Sequence, residues 1–211
     1  MVYVVLSEKP QSFTLKELAA MEKETAERFE NILEQANIPA LNSAEQDMIV
    51  SSYHLVDDRP ESIAPIYTGY PSVDTKARDT FISLPGLLLA TGREEVAAKT
   101  LKYWLEIAEK NGWVMPEKFA DDGSCEFGCI DNGLWFVYAA DKYLSHHKEA
   151  SAQDRAAFAR AIKEIVEKYI SGAAELDAVC DANMLLRMTS AHPSRYWMNA
   201  VAGDEVVVPR K

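Results

Sequence analysis

The sequence has few cysteines and no long apolar run. Its three cysteines, Cys125, Cys129 and Cys180, are an odd number in a chain of 211 residues, which is not the pattern of a disulfide framework. Cys125 and Cys129 are separated by three residues with no histidine nearby, so buried or free thiols are a better interpretation than a metal site. No window approaches the roughly 20 apolar residues that a membrane-spanning helix needs.

Basic residues are also scarce. The 22 lysines and arginines are outnumbered by 33 acidic residues, and the formal net charge is −11. This charge argues against nucleic acid and anionic membrane surfaces as partners, because both attract basic patches. The stretch 1–10 has a short apolar run but no basic segment before it, unlike a signal peptide. We therefore expect a reduced, cytoplasmic protein that needs no cofactor and no metal.

The residues that are present indicate a folded, mainly helical chain. Hydrophobic residues make up 48% and charged residues 26% of the sequence, as in globular proteins, and the length suits a single domain covering 1–211. Apolar residues recur at three- and four-residue spacing, the pattern of amphipathic helices. We predict six helices, beginning near Thr14, Ser43, Arg78, Arg93, Asp131 and Ser151. Short runs at 2–6, 184–188 and 206–208 predict small strands.

Several boundaries have local signals. Thr14 and Glu17 have the spacing of a capping box, which opens an acidic leading helix within residues 1–40. Pro85, followed by glycine, must interrupt the helix that begins near Arg78, because proline lacks an N–H donor and clashes with the preceding turn. The loop 113–129 is long enough to suspect a functional role, and Glu126 is its candidate carboxylate, with a solvated loop acid as the simpler alternative.

The stretch 68–92 is the most informative part of the chain. Arg78 and Asp79 stand directly before an apolar run, where a helix begins and polar groups often face a cleft. They either contact a ligand or form an ion pair with each other that caps the helix. Asp131 also stands at a predicted helix start, as either an N-cap or a ligand contact. Trp104, Trp113 and Trp135 are better explained as core residues than as ligand platforms.

Three blocks of this sequence resemble one family in order and spacing. The first runs from Gly69 to Arg93 and contains Arg-Asp-Thr, Ser-Leu-Pro-Gly-Leu and Thr-Gly-Arg. The second is 131–136, Asp-Asn-Gly-Leu-Trp-Phe, and the third is 197–210, with Trp-Met-Asn-Ala, Gly-Asp and Val-Pro-Arg. Together they resemble the C-terminal amylo-α-1,6-glucosidase domain of glycogen debranching enzymes over residues 41–211.

The resemblance implies a fold, a substrate and a site. The family domain is an all-α (α/α)6 toroid, so this chain is expected to supply toroid-type helical hairpins for about half of the barrel, with a small β-rich C-terminal segment. The implied reaction is the hydrolysis, with inversion, of α-1,6-linked glucose in glycogen or a related α-glucan. The implied substrate-binding residues are Arg78, Asp79, Asp131 and Trp197.

The sequence departs from the family pattern near the expected chemistry. The acidic residue that we take as the general acid of the family is Asn199 here, and an amide does not donate a proton as a carboxylic acid does. The aromatic pair after Gly-Tyr-Pro is Ser72-Val73, and Asp-Trp-Gly before Arg-Asp is Thr-Lys-Ala at 75–77. The general base is expected beyond residue 211, so no catalytic residue is assigned.

Two hypotheses therefore stay open. In the first, the chain is a debranching-type glycoside hydrolase domain or a part of one. In the second, it is an inactive, truncated relative that binds α-glucan or another protein. In either case, an open half-barrel predicts apolar faces that a second copy or another subunit covers.

Overall fold

The computed structural model describes residues 12–57, 59, 62–69, 74–119, 123–188, 201–202 and 205–206. Over these ranges the fold is all-α, with six α-helices and a few short strands. The chain divides into two compact units, Met1–Ser52 and Tyr53–Lys211. The strand predicted at 2–6 lies outside the described residues.

The first unit is built on two helices with well-formed starts. Helix α1 spans Leu15–Ala36, and the predicted capping box is confirmed, because the Glu17 N–H donates to the Thr14 hydroxyl and the Thr14 N–H donates to the Glu17 carboxylate. Helix α2 spans Ser43–Tyr53. It begins at Ser43, as predicted, and its start is a second reciprocal pair, in which the Glu45 N–H donates to Asn42 Oδ1 at 3.1 Å and the Asn42 N–H donates to Glu45 Oε2 at 2.8 Å.

The second unit holds the remaining helices: α3 is Ala77–Leu84, α4 is Glu94–Lys110, α5 is Asn132–His146 and α6 is Ala152–Ser171. The predicted interruption at Pro85 is confirmed, because α3 stops there and continues as a five-residue π-helix, Pro85–Leu89. The Ala90 N–H donates to the Pro85 carbonyl at 2.9 Å across this wider turn. The wider turn accommodates a residue that cannot donate to the preceding turn.

The core of the second unit is centred on three aromatic rings from three helices. Phe81 of α3 contacts Trp104 of α4 and Phe136 of α5 edge to face, with ring centroids 5.5 and 5.3 Å apart. Trp104 is only 1% exposed, which confirms its prediction as a core residue. Helix α5 also packs on α6 through Tyr143 and Phe158. Helices α3 and α5 are therefore held side by side.

The strands are short antiparallel pairs. Strand β1, Lys118–Phe119, pairs with β2, Cys125–Glu126, within the predicted loop 113–129. Strand β3, Ala178–Cys180, pairs with β4, Leu186–Met188, and β5, Val201–Ala202, pairs with β6, Glu205–Val206. Strands β4 and β6 overlap the strands predicted at 184–188 and 206–208, whereas their partners β3 and β5 and the hairpin β1–β2 were not predicted. None of the described helices combines the length and apolar character that crossing a membrane requires.

Candidate functional site

The starts of helices α3 and α5 are joined by an ion pair between Arg78 and Asp131. Arg78 Nε lies 3.1 Å from Asp131 Oδ2 and 3.3 Å from Oδ1, and one terminal guanidinium nitrogen lies 2.9 Å from Oδ1. Only 15% of the Arg78 side chain and 19% of the Asp131 side chain are exposed. A bidentate, mostly buried ion pair of this kind fixes the orientation of both side chains. Two of the predicted site residues are thus brought together from positions 53 residues apart.

Asp131 stands at the N-cap position of α5, but its side chain makes no capping hydrogen bond. The predicted N-cap position of Asp131 is therefore confirmed, but its carboxylate does not cap the helix. Its carboxylate binds Arg78 instead and accepts a hydrogen bond from Trp135 Nε1 at 3.3 Å. A bidentate hydrogen bond to a charged guanidinium is stronger than a hydrogen bond to one backbone N–H. The positive end of the α5 dipole also favours a carboxylate at this position. Trp135 is half-buried.

Asp79 is separated from Arg78 by the geometry of the helix. Consecutive helical residues do not face each other, and Arg78 pairs with Asp131, so the predicted alternative of an Arg78–Asp79 ion pair is wrong. The Asp79 side chain is exposed and forms no ion pair with any residue that the structure describes. The remaining predicted residues, Trp197 and Asn199, lie outside the described residues, so their proposed roles stay predictions.

Glu117 is a further acidic residue at this site that sequence reasoning missed. Its backbone carbonyl accepts from the Ala77 N–H at 2.9 Å, which ties the hairpin to the start of α3, and its Oε2 accepts from the Cys129 thiol at 3.5 Å. A Cβ atom on Gly128 would lie 2.0 Å from Glu117 Oε2. The carboxylate therefore occupies the space that any other side chain at 128 would take. Glu126, the predicted loop carboxylate, is instead exposed on β2.

The thiol at the centre of this group is inert near neutral pH. Burial, together with the negative charges of Glu117 and Asp131, raises the pKa of Cys129 to about 11, and only the positive charge of Arg78 opposes them. Because a thiolate is the reactive form, this environment argues against a nucleophilic role. Burial alone would lower the pKa of Arg78, but its interactions with Asp131 and Cys129 together outweigh burial and raise it. No cluster of three metal-binding side chains occurs within the described ranges.

Tyr169 of α6 supports the turn that carries Asp131. Its hydroxyl donates to the Ile130 carbonyl, and burial raises the pKa of Tyr169, so the hydroxyl keeps its proton. A Cβ atom on Gly133 would lie 2.9 Å from Tyr169 Cε2, so this glycine allows α5 and α6 to approach closely. Asn132, the first residue of α5, is fully buried, and its side-chain amide has no hydrogen-bond partner among the described residues. Tyr169 and Gly133 thus hold the first turn of α5 in place.

Comparison with known proteins gives one match. A family model described as amylo-alpha-1,6-glucosidase matches residues 44–211, a range that includes the whole Arg78–Asp131 site. No curated protein and no solved structure matches the chain.

Proposed function

Because this chain belongs to the amylo-α-1,6-glucosidase family, we propose that it binds the branch points of an α-glucan such as glycogen at the Arg78–Asp131 site. Family membership supports a function related to glycogen debranching in general. The reaction that we propose is the hydrolysis of α-1,6-linked glucose. The observation that carries this proposal is the pairing of Arg78 with Asp131 at two adjacent helix starts, beside the exposed Asp79.

The three charged groups suit a sugar ring. Sugar hydroxyls both donate and accept hydrogen bonds, and bonds to charged groups are the stronger ones. Asp131 holds the Arg78 guanidinium by Nε and one terminal nitrogen, which keeps Arg78 in one orientation. The exposed carboxylate of Asp79 is an acceptor for sugar hydroxyls. In this proposal Asp79 and Arg78 contact the glucose, and Asp131 positions Arg78.

Hydrolysis with inversion needs two carboxyl groups. One protonates the leaving oxygen and the other activates a water molecule, and the two stand about 6.5–9.5 Å apart. Asn199 occupies the place that the resemblance gives to the proton donor, and an amide cannot do this work. This substitution favours a second candidate function, in which the site binds α-glucan without hydrolysing it.

One experiment separates the two candidates. The protein is incubated at high concentration with a branched limit dextrin, and released glucose is assayed. Binding of the same dextrin is measured by calorimetry with the wild-type chain and with Asp79→Asn. Glucose release that Asp79→Asn reduces supports hydrolysis at this site. Binding without glucose supports the second candidate, and the absence of both rejects the site.

We also propose that helices α3 to α6 are successive hairpins of an (α/α)6 toroid and supply about half of its ring. The support is that α3 and α5 lie side by side with their starts joined by an ion pair, while α4 runs between them in the chain. In such a toroid alternate helices are parallel neighbours, and the site lies at one end of them. An experimental structure with α4 between α3 and α5 in the same layer would refute this arrangement.

A further inference from the structure

A surface cleft of about 550 Å³ lies between helix α4 and the hairpin β1–β2. It shares no residue with the Arg78–Asp131 site. Tyr103 and Phe119 line it, with their ring centroids 5.3 Å apart in an edge-to-face arrangement. Both rings are only partly buried. The volume is in the range of small-molecule binding sites, and such sites combine aromatic walls with a few polar groups.

Three polar side chains line the same cleft and have hydrogen-bonding capacity to spare. Glu106 and Lys110 are exposed one turn apart on α4, and within the part of the chain that the structure describes neither is in an ion pair. Asn111 donates its amide N–H to the Ile107 carbonyl at 2.8 Å and lies 3.5 Å from the Cys125 sulfur. The Asn111 side-chain oxygen accepts no hydrogen bond from the described residues, so it is available as an acceptor.

The aromatic and polar side chains that line the cleft indicate which class of ligand it binds. Among the described residues that line the cleft, one carboxylate and one ammonium group have opposite charges that cancel, so these residues favour neither an anion nor a cation. A purely apolar ligand would remove three polar groups from water without replacing their hydrogen bonds, which is costly. A neutral ring with many hydroxyls uses all of these features, because its flat face lies against aromatic carbon while its edge bonds to the polar groups.

We propose that this cleft is a second carbohydrate site, which binds a linear segment of the same α-glucan away from the Arg78–Asp131 site. The choice of an α-glucan rests on the proposed function. A second contact on the same polymer raises the effective concentration of the chain near the first site. A branched polymer supplies both partners, because its outer chains extend beyond the branch point.

The first test counts binding sites by calorimetry with a short maltooligosaccharide that carries one α-1,6 branch, because the Arg78–Asp131 site is proposed to bind a branch point and the cleft a linear segment. We expect two sites in the wild-type chain. The double variant Glu106→Ala, Lys110→Ala removes both charges from the cleft without changing the net charge, and should weaken one site by about tenfold or more. The matched control is Lys163→Ala, Glu167→Ala, which removes an exposed pair of the same spacing on α6 and should leave both sites unchanged.

The second test uses the cysteines as local probes. Cys125 lines the cleft, whereas Cys180 is a half-buried thiol elsewhere in the chain. Saturating maltoheptaose should slow the alkylation of Cys125, measured by mass spectrometry, and leave the rate at Cys180 unchanged. Equal rates at Cys125 with and without the sugar would overturn the proposal.

The variants distinguish failure of this inference from failure of the proposed function. If the cleft variant binds the branched oligosaccharide like the wild type while Asp79→Asn loses a site, the cleft proposal is rejected and the proposed function stands. If the cleft variant loses all binding while Asp79→Asn loses none, the cleft proposal stands and the Arg78–Asp131 site is rejected. If the wild type binds nothing, both are rejected.

Discussion

Replacing Asp131 by asparagine removes one negative charge from the candidate site and keeps the size of the side chain. The guanidinium of Arg78 would then face an amide, although only 15% of its side chain is exposed. The matched control is Asp79→Asn, which makes the same chemical change one residue after Arg78, at an exposed carboxylate. The comparison isolates the contribution of the buried pair.

The size of the effect follows from burial. Removing one partner of a fully buried ion pair costs about 3–5 kcal/mol, whereas exposed pairs contribute about 0–1 kcal/mol. The Arg78–Asp131 pair is mostly but not completely buried, and the asparagine oxygen still accepts one hydrogen bond. We therefore expect Asp131→Asn to lower the free energy of unfolding by about 2–3 kcal/mol. Asp79→Asn should change it by less than about 0.5 kcal/mol.

Urea denaturation followed by circular dichroism measures both values. Glucan affinity, measured by calorimetry, should fall in both variants, because Asp79 is proposed to contact the sugar and Asp131 to position Arg78. Asp131→Asn that is as stable as Asp79→Asn would refute the reasoning, since the pair would then contribute no more than a solvated one.

Three further predictions concern the surroundings of the site. Tyr169→Phe removes the hydroxyl that donates to the Ile130 carbonyl and should cost about 1–2 kcal/mol in urea denaturation; an unchanged midpoint would contradict this support of the turn. Gly128→Ala places a Cβ atom 2.0 Å from Glu117 Oε2, the end of a flexible side chain that must move and give up its hydrogen bond from Cys129, and should cost about 0.5–1.5 kcal/mol; Glu117→Ala in the same chain should restore part of the loss, and a single variant as stable as the wild type would refute the clash. Burial raises the pKa of Cys129 from 9.0 to about 11, so the folded state keeps a proton that the unfolded chain loses, and stability that is complete below about pH 9 declines as the pH rises towards 11. Cys129→Ala should show a smaller decline over this range, and an equal decline would exclude Cys129 as its source.

The features that were predicted correctly depend on residues close together in the chain. The capping box of Thr14 and Glu17 and the break at Pro85 each involve atoms within one helical turn, so the sequence contains all the information. The start of α2 near Ser43 was predicted correctly for the same reason, because its cap, the reciprocal pair of Asn42 and Glu45, is also local. The hairpin β1–β2 was missed because its strands have only two residues each, too few for an alternating pattern.

The family, the all-α class and the two polar helix starts at Arg78 and Asp131 could be predicted from the sequence, because motif order and helical periodicity are properties of the chain alone. The contacts that those residues make depend on how the helices pack. The Arg78 and Asp131 side chains meet because the core places α3 beside α5. A contact between residues 53 positions apart cannot be predicted from the residues next to either of them. The same holds for Glu117, whose carboxylate occupies the space left by a glycine eleven positions later, at 128. The burial of a side chain and its bonding partner are set by packing between segments that are distant in the sequence, so they cannot be predicted from neighbouring residues.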